Sequence, residues 1–291
     1  MLTRFLTILF LGSILHCGAQ QDFPMKESAL LWKIEGPGVK KGCYLFGTMH
    51  LIEKEYFLFP KKLEKLVEQS ELLVMEIAEL PGQAEAVKYV TLQEGTFFDF
   101  FTKEQTDTIL TWAKEKLFLD ETAFRNSMSQ MKPFVVVQLA TQLYFMGKTE
   151  SYETSFEAIA KKNGIERMGL ETVAQQMGFF DRLQNDEEAE MVMESIRNGD
   201  KSIQDVKKMQ SIYAAQQVDS LYLMIIENGG VVSEEQAAFL DDRNMDWIPK
   251  IEGVITEKRA FIAVGAGHLG GPKGVIRLLR QKGYTITPVR L

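Results

Sequence analysis

Two seven-residue stretches constrain this chain more than anything else in it: Leu45-Phe46-Gly47-Thr48-Met49-His50-Leu51 and Ala263-Val264-Gly265-Ala266-Gly267-His268-Leu269. Each reads as an apolar strand, then Gly-x-x-His, then Leu. The chain has three histidines and 22 glycines in 291 residues. His16 lies in a segment that reads as a cleaved leader, so each remaining histidine sits in one copy of the pattern. Chance alone places Gly three residues before both with a probability of about 0.6%, so the repeat calls for a common cause. A lone Gly-x-x-His is an ordinary turn with a hydrogen-bonding His. Two copies in the same context point to a shared site, and imidazole suits divalent Zn, Mn, Co or Fe when carboxylates complete the ligand set.

The surrounding pattern predicts an α/β fold: a central mixed sheet flanked by helices, with two related strand-GxxH-helix-strand halves and a helical insertion. Residues 30–34 read as a strand, Gly36-Pro37-Gly38 as a turn and 42–47 as a second strand, together a hairpin. A helix over 61–69 and a strand over 71–77 complete the first half. The second half repeats this with a strand over 261–264, a Gly-Gly-Pro loop, a helix carrying Val275, Ile276, Leu278 and Leu279, and a closing strand over 284–289. A βαβ reading of each half makes its two strands parallel neighbours and sets each His at the carboxyl edge of the sheet, where ligands of open α/β sheets collect. Glycine at each motif is expected to let the strand turn sharply, so that the His projects inward.

Between the halves the sequence is largely helical over 81–162. Thr102 with Gln105 forms a capping-box pattern, and Pro133 opens an apolar run to Phe145. Neither segment shows catalytic spacing. A short strand over 166–169 follows, then a second capping box, Thr172 with Gln175, for a helix reaching Leu183. Helices continue over 186–228.

Three features supply further candidates. Glu76 ends the strand over 71–77 on the face of Leu72 and Val74, where a charged carboxylate is costly unless it is paired or metal-bound. Glu171 stands between a short strand and the cap Thr172, where a helix dipole would favour it in any case. A helix over 233–254 places Leu240, Asn244, Trp247, Ile248 and Ile251 on one stripe, so Asn244 faces the core and must find a partner. Arg243 beside it is expected either to grip substrate or an oxyanion, or to pair at the surface with Asp241 or Asp242. One glutamate would be a metal ligand and the other a general base.

Residues 1–19 carry one basic residue, Arg4, an apolar run over 5–15, then Cys17 and Ala19, the layout of a secretory signal peptide cleaved after Ala19. The run is too short for a span of roughly twenty residues, and no later run is long enough, so no integral membrane span is expected. Attachment as a lipoprotein through Cys17 is the weaker reading, because His16 is a poor neighbour for that processing. The protein is therefore expected to be secreted or periplasmic, as a single domain over 20–291. Setting Arg4 aside leaves 32 basic against 40 acidic residues, well mixed along the chain. That balance argues against a nucleic-acid partner and provides no basic patch for anionic lipid. Cys43 alone remains after the leader, so no internal disulfide forms, and its apolar neighbours mark a buried strand thiol.

The segments over 44–51, 72–76 and 168–172 with Gln175 and Gln176, then 242–244 with Trp247 and 264–275, together resemble the TraB/PrgY/GumN family, related to the Tiki-type metalloproteases. The resemblance spans nearly all of the chain past the leader, and the last segment with Leu278, Leu279, Gly283 and Tyr284 is its most specific part. It implies an α/β fold of two related halves, a site built from both Gly-x-x-His motifs with acidic residues, and divalent-metal-dependent hydrolysis as in the Tiki-type relatives. By position it carries over to His50, Glu76, Glu171, Arg243, Asn244 and His268. The leading expectation is an exported metal-dependent hydrolase, a peptidase acting on peptide or small-molecule substrates. His50 and His268 would hold a divalent Mn, Co, Zn or Fe ion with Glu76 or Glu171. The alternatives are a haem- or metal-binding module without turnover and a metal-free, esterase-like hydrolase with His as base.

Overall fold

A computed structural model describes residues 23–79, 82–145, 149–178, 180–227 and 233–291. The leader expected over 1–19 lies outside the described residues. Among the described residues eight strands form, in chain order: β1 (Leu31–Glu35), β2 (Cys43–Thr48), β3 (Ile52–Glu53), β4 (Leu72–Met75), β5 (Thr149–Glu150), β6 (Glu166–Gly169), β7 (Ala260–Gly265) and β8 (Thr285–Val289). Six of them build one mixed sheet in the order β6-β4-β7-β2-β1-β8, and β3 with β5 makes a separate antiparallel pair. The α/β class, the mixed central sheet and the flanking helices are as the sequence pattern predicts.

The β1–β2 hairpin is antiparallel, pairing Leu31 with Phe46 and Ile34 with Cys43. Pairing within the halves departs from the expected plan. β4 bonds β7 rather than β2, and β8 bonds β1 rather than β7. The cause lies in β7, whose first five residues are all buried. A strand apolar on both faces gains most in the middle of a sheet, between two parallel neighbours. β7 therefore inserts between β4 and β2, and its register with β2 sets Gly47 opposite Val264 and Thr48 opposite Gly265. The two His-bearing strands are thus direct neighbours, ending at the same edge of the sheet. Pro288, which has no N–H to donate, is accommodated on the edge strand β8.

The glycines of the motifs serve a different purpose from the turn expected of them. Gly47 and Gly265 are absent from the positive-φ residues. A Cβ on Gly47 would stand 2.8 Å from Leu269 Cδ1 and 3.0 Å from Ala266 Cα. The first motif lacks a side chain at this point so that the second can pack onto it. Gly47→Ala is accordingly expected to cost about 1–3 kcal/mol through overpacking. A lowered urea midpoint with an unchanged m-value would register it, whereas an unchanged midpoint would refute the close-packing account.

The main core surrounds the sheet, with Trp32, Phe46, Tyr152, Phe156, Trp247 and Phe261 among its largest buried members. A second apolar cluster gathers Phe97, Ile109, Phe124, Val136, Val192 and Met193. The Thr102 capping box forms as expected, with the Gln105 N–H donating to the Thr102 hydroxyl. The Thr172–Gln175 box also forms, but its helix (Val173–Met177) stops at Gly178 instead of reaching Leu183, because glycine favours termination. The long helix runs Ser233–Glu257, with Asn244, Trp247, Ile248 and Ile251 buried on the predicted stripe. Cys43 is a buried thiol, as its neighbours suggest.

Candidate functional site

The helix Ser233–Glu257 brings its middle to the sheet edge where β4 and β7 end, and delivers two adjacent side chains to different tasks. Arg243 reaches both candidate glutamates: Nη2 donates to Glu76 Oε2 at 2.5 Å and to Glu171 Oε1 at 2.6 Å, and Nε donates to Glu171 Oε2 at 3.0 Å. It does not take the surface alternative. Asp241 instead faces Lys273, and Asp242 faces Arg182. The guanidinium also lies 4.8 Å from the Phe239 ring centre and 4.9 Å from that of Trp247, within cation–π range.

Gln176 ties the two carboxylates further, with Nε2 donating to Glu76 Oε2 and Glu171 Oε1, both at 3.1 Å. The Trp247 indole N–H donates to Glu171 Oε2 at 3.3 Å. Every oxygen of Glu171 is therefore engaged. The remaining Glu76 oxygen, Oε1, accepts from the Gly265 N–H at 2.7 Å and stands 3.9 Å from His268 Nε2. Burial alone would raise the Glu76 carboxyl. The positive groups around it, His268, Arg243 and His50, together with the Gly265 N–H, hold it at about 2 instead. Desolvation keeps His268 neutral down to about 3, so at neutral pH Arg243 is the main source of that attraction. Burial likewise opposes the charge on Arg243, but Glu76 and Glu171 overrule it and raise its pKa.

Asn244 fixes His268. Its Nδ2 donates to the Lys273 carbonyl, which can only accept, so Oδ1 faces His268 Nδ1 at 2.7 Å and takes that proton. The neutral imidazole is therefore the Nδ1–H tautomer, with the Nε2 lone pair turned toward Glu76. Trp247 packs on the ring, with centroids 4.4 Å apart. Asn244 is fully buried and His268 is 4% exposed.

His50 occupies a different setting: its side chain is 62% exposed. Nδ1 lies 3.0 Å from Glu153 Oε1, an acceptor, so Nδ1 again carries the proton. The hydrogen bond to Glu153 raises the imidazole to about 9 against desolvation, with Glu76 adding to the effect. The pairing therefore favours the fold below about pH 6.5 and is lost as pH rises through about 9, and water screens it at this exposure. His50, Glu76, Glu153 and Gln176 line a cleft of about 620 Å³, together with the charged Glu79, Glu157, Lys161 and Arg167.

The sheet edge thus gathers Glu76, Glu171 and Arg243 into one bonded network and sets the Asn244–His268 pair beside it, with His268 Nε2 3.9 Å from Glu76, while His50 lines the same cleft as Glu76. Sequence reasoning missed Glu153. It stands in the first turn of the helix Tyr152–Asn163, where an acid is an ordinary dipole-favoured residue, inside the largely helical stretch over 81–162. The donor types present, two imidazoles and a carboxylate, match a His2Glu set for a divalent ion. Among the described residues no three such groups yet converge to ligand distance.

These features define an α/β protein with a carboxylate-bearing cleft at the carboxyl edge of its sheet, lined by the motif histidine His50, with the other, His268, buried 3.9 Å from Glu76. The sequence model of the TraB/PrgY/gumN family matches residues 30–288, and the chain belongs to that family. No curated protein and no solved structure matches it.

Proposed function

We propose that the protein is an exported, divalent-metal-dependent hydrolase that cleaves peptides, with His50, His268 and Glu76 holding the ion. One observation carries this reading. In both motif histidines Nδ1–H is held by an oxygen acceptor, Glu153 or Asn244, leaving Nε2 without a hydrogen bond. Metal-binding imidazoles are oriented in this way. A divalent ion there supplies a polarised water and a Lewis acid for a scissile carbonyl. Glu76 is taken as the ligand because it lines the cleft with His50 and its Oε1 stands 3.9 Å from His268 Nε2, whereas Glu171 lines the neighbouring pocket with Arg243 and Trp247 and is assigned neither ligand nor base. Its role is to hold Arg243, which in turn holds Glu76. Peptide is the substrate class favoured by the resemblance to the Tiki-type metalloproteases, and the mixed charges of the cleft suit a polar chain.

A second reading takes His268 as a metal-free general base, because Asn244 holds its Nδ1–H and leaves the Nε2 lone pair available, although burial lowers its pKa to about 3 and so weakens it as a base. Elemental analysis of the purified protein, paired with peptide-library cleavage with and without chelator, separates the two. The expected result is bound divalent metal, lost in His50→Ala and His268→Ala, and cleavage abolished by chelator. Full metal content in both variants would overturn the ligand assignment, and cleavage that survives chelation would favour the general-base reading.

A further inference from the structure

We infer that Glu153 is the positioning residue of His50: it alone fixes the ring of the exposed motif histidine and presents its Nε2 to the cleft. The two histidines reach similar states by unlike means. His268 is buried and packs against Trp247 with the rings tilted by 41°, so packing would restrain its ring even without Asn244. His50 has 62% of its side chain in solvent, and among the described residues its one side-chain hydrogen bond runs to Glu153. An exposed imidazole held by no packing samples several rotamers, and each would aim Nε2 elsewhere.

Glu153 is built to prevent that. Oε1 accepts from the Thr48 hydroxyl at 2.8 Å as well as facing His50 Nδ1, and Oε2 accepts from the Ser151 hydroxyl at 3.1 Å. Thr48 is the last residue of β2 and is 3% exposed, and Ser151 caps the helix that carries Glu153. The carboxylate is thus anchored from the sheet and from the helix before it engages the ring. The same acidic residue ties the helical segment preceding β6 to the first motif.

The inference rests on the proposed function only where metal affinity is read, so two measurements are needed. In metal-free protein, the His50 Nδ1–H resonance, assigned by its loss in His50→Ala, is expected in the wild type. It should disappear in Glu153→Ala and persist in Glu153→Gln, whose amide oxygen still accepts. Zinc titration calorimetry should then show affinity reduced about 10–100-fold in Glu153→Ala, with partial recovery in Glu153→Gln. Circular dichroism of each variant should match the wild type. A resonance that survives in Glu153→Ala would overturn the inference whether or not the protein binds zinc. A wild type that binds no zinc would overturn the proposed function and leave the resonance to decide the role of Glu153. Equal zinc affinity in wild type and Glu153→Ala would reject the positioning role alone.

Discussion

Arg243→Ala is expected to destabilise the protein by about 3–5 kcal/mol at pH 7, the range for removing one partner of a buried ion pair. Two carboxylates depend on this guanidinium. The Glu76 and Glu171 side chains are 8% and 4% exposed, so water cannot take over the lost bonds. Stacking on Phe239 and Trp247 is lost as well. Arg243→Lys should recover only part of the loss, because an ammonium cannot form the two parallel bonds to Glu171.

The pH dependence follows from Glu76. In the wild type its carboxyl is lowered from 4.5 to about 2, so its pairing stabilises the fold above about pH 4.5 and is lost as pH falls toward 2. Without Arg243, burial prevails and the carboxyl rises, making the charged form the destabilising one. That penalty fades as the carboxylate takes up a proton. The gap between wild type and Arg243→Ala should therefore narrow steadily from pH 7 to about pH 3. His268 adds to the narrowing: burial and then Arg243 oppose its protonation, so without Arg243 the ring charges more readily and the penalty below pH 6.5 is smaller in the variant. Urea denaturation across this range supplies the test. A loss below about 1 kcal/mol at pH 7, or a gap independent of pH, would show that Arg243 does not stabilise the two glutamates.

What the sequence disclosed depended on whether the cause was local. Periodicity located the hairpin, the helix Lys61–Glu68 and the inward face of Ser233–Glu257, since each is read within a few turns of chain. It placed Asn244 in the core correctly, because Leu240, Trp247 and Ile251 share its stripe. Strand order was not local. β7 pairs with β2 and β4 across some two hundred residues, and the βαβ pattern gives only direction. The Gly47 requirement was likewise invisible, because the clash that excludes a side chain comes from Ala266 and Leu269. The sequence offers Arg243 either a substrate or oxyanion to grip or a surface pair with its chain neighbours Asp241 and Asp242, whereas the fold brings it Glu76 and Glu171 from other elements. Glu153 was hidden by resembling a common helix-start acid. Among the described residues the closest sequence hint of its role was Ser151, a cap that also bonds its carboxylate.

Asp219 reveals the brace behind His268, and Asp219→Ala is expected to cost about 3–5 kcal/mol as well. Arg277, 2% exposed, donates Nη1 to Asp219 Oδ1 at 2.8 Å and Nη2 to Oδ2 at 2.9 Å. Asp219 also accepts from the N–H groups of Gly271 at 2.9 Å and Met25 at 2.5 Å. Gly271 begins the loop after His268, and Arg277 donates to its carbonyl at 2.7 Å. The loop packs tightly here: a Cβ on Gly270 would stand 2.3 Å from the Val218 carbonyl oxygen. Removing Asp219 should therefore loosen the loop that carries His268 as well as weaken the whole fold.

A double variant tests the cause. Asp219→Asn with Arg277→Met removes both charges and keeps one amide oxygen, which serves either the Gly271 or the Met25 N–H but not both, so it should lose clearly less stability than Asp219→Ala without matching the wild type. Hydrogen exchange at Leu269 and Gly271 should quicken in Asp219→Ala beyond what its global stability predicts, and much less in the double variant. If the single and double variants lose the same stability, the charges are not what holds the brace, and the backbone bonds of Asp219 to Gly271 and Met25 carry it instead.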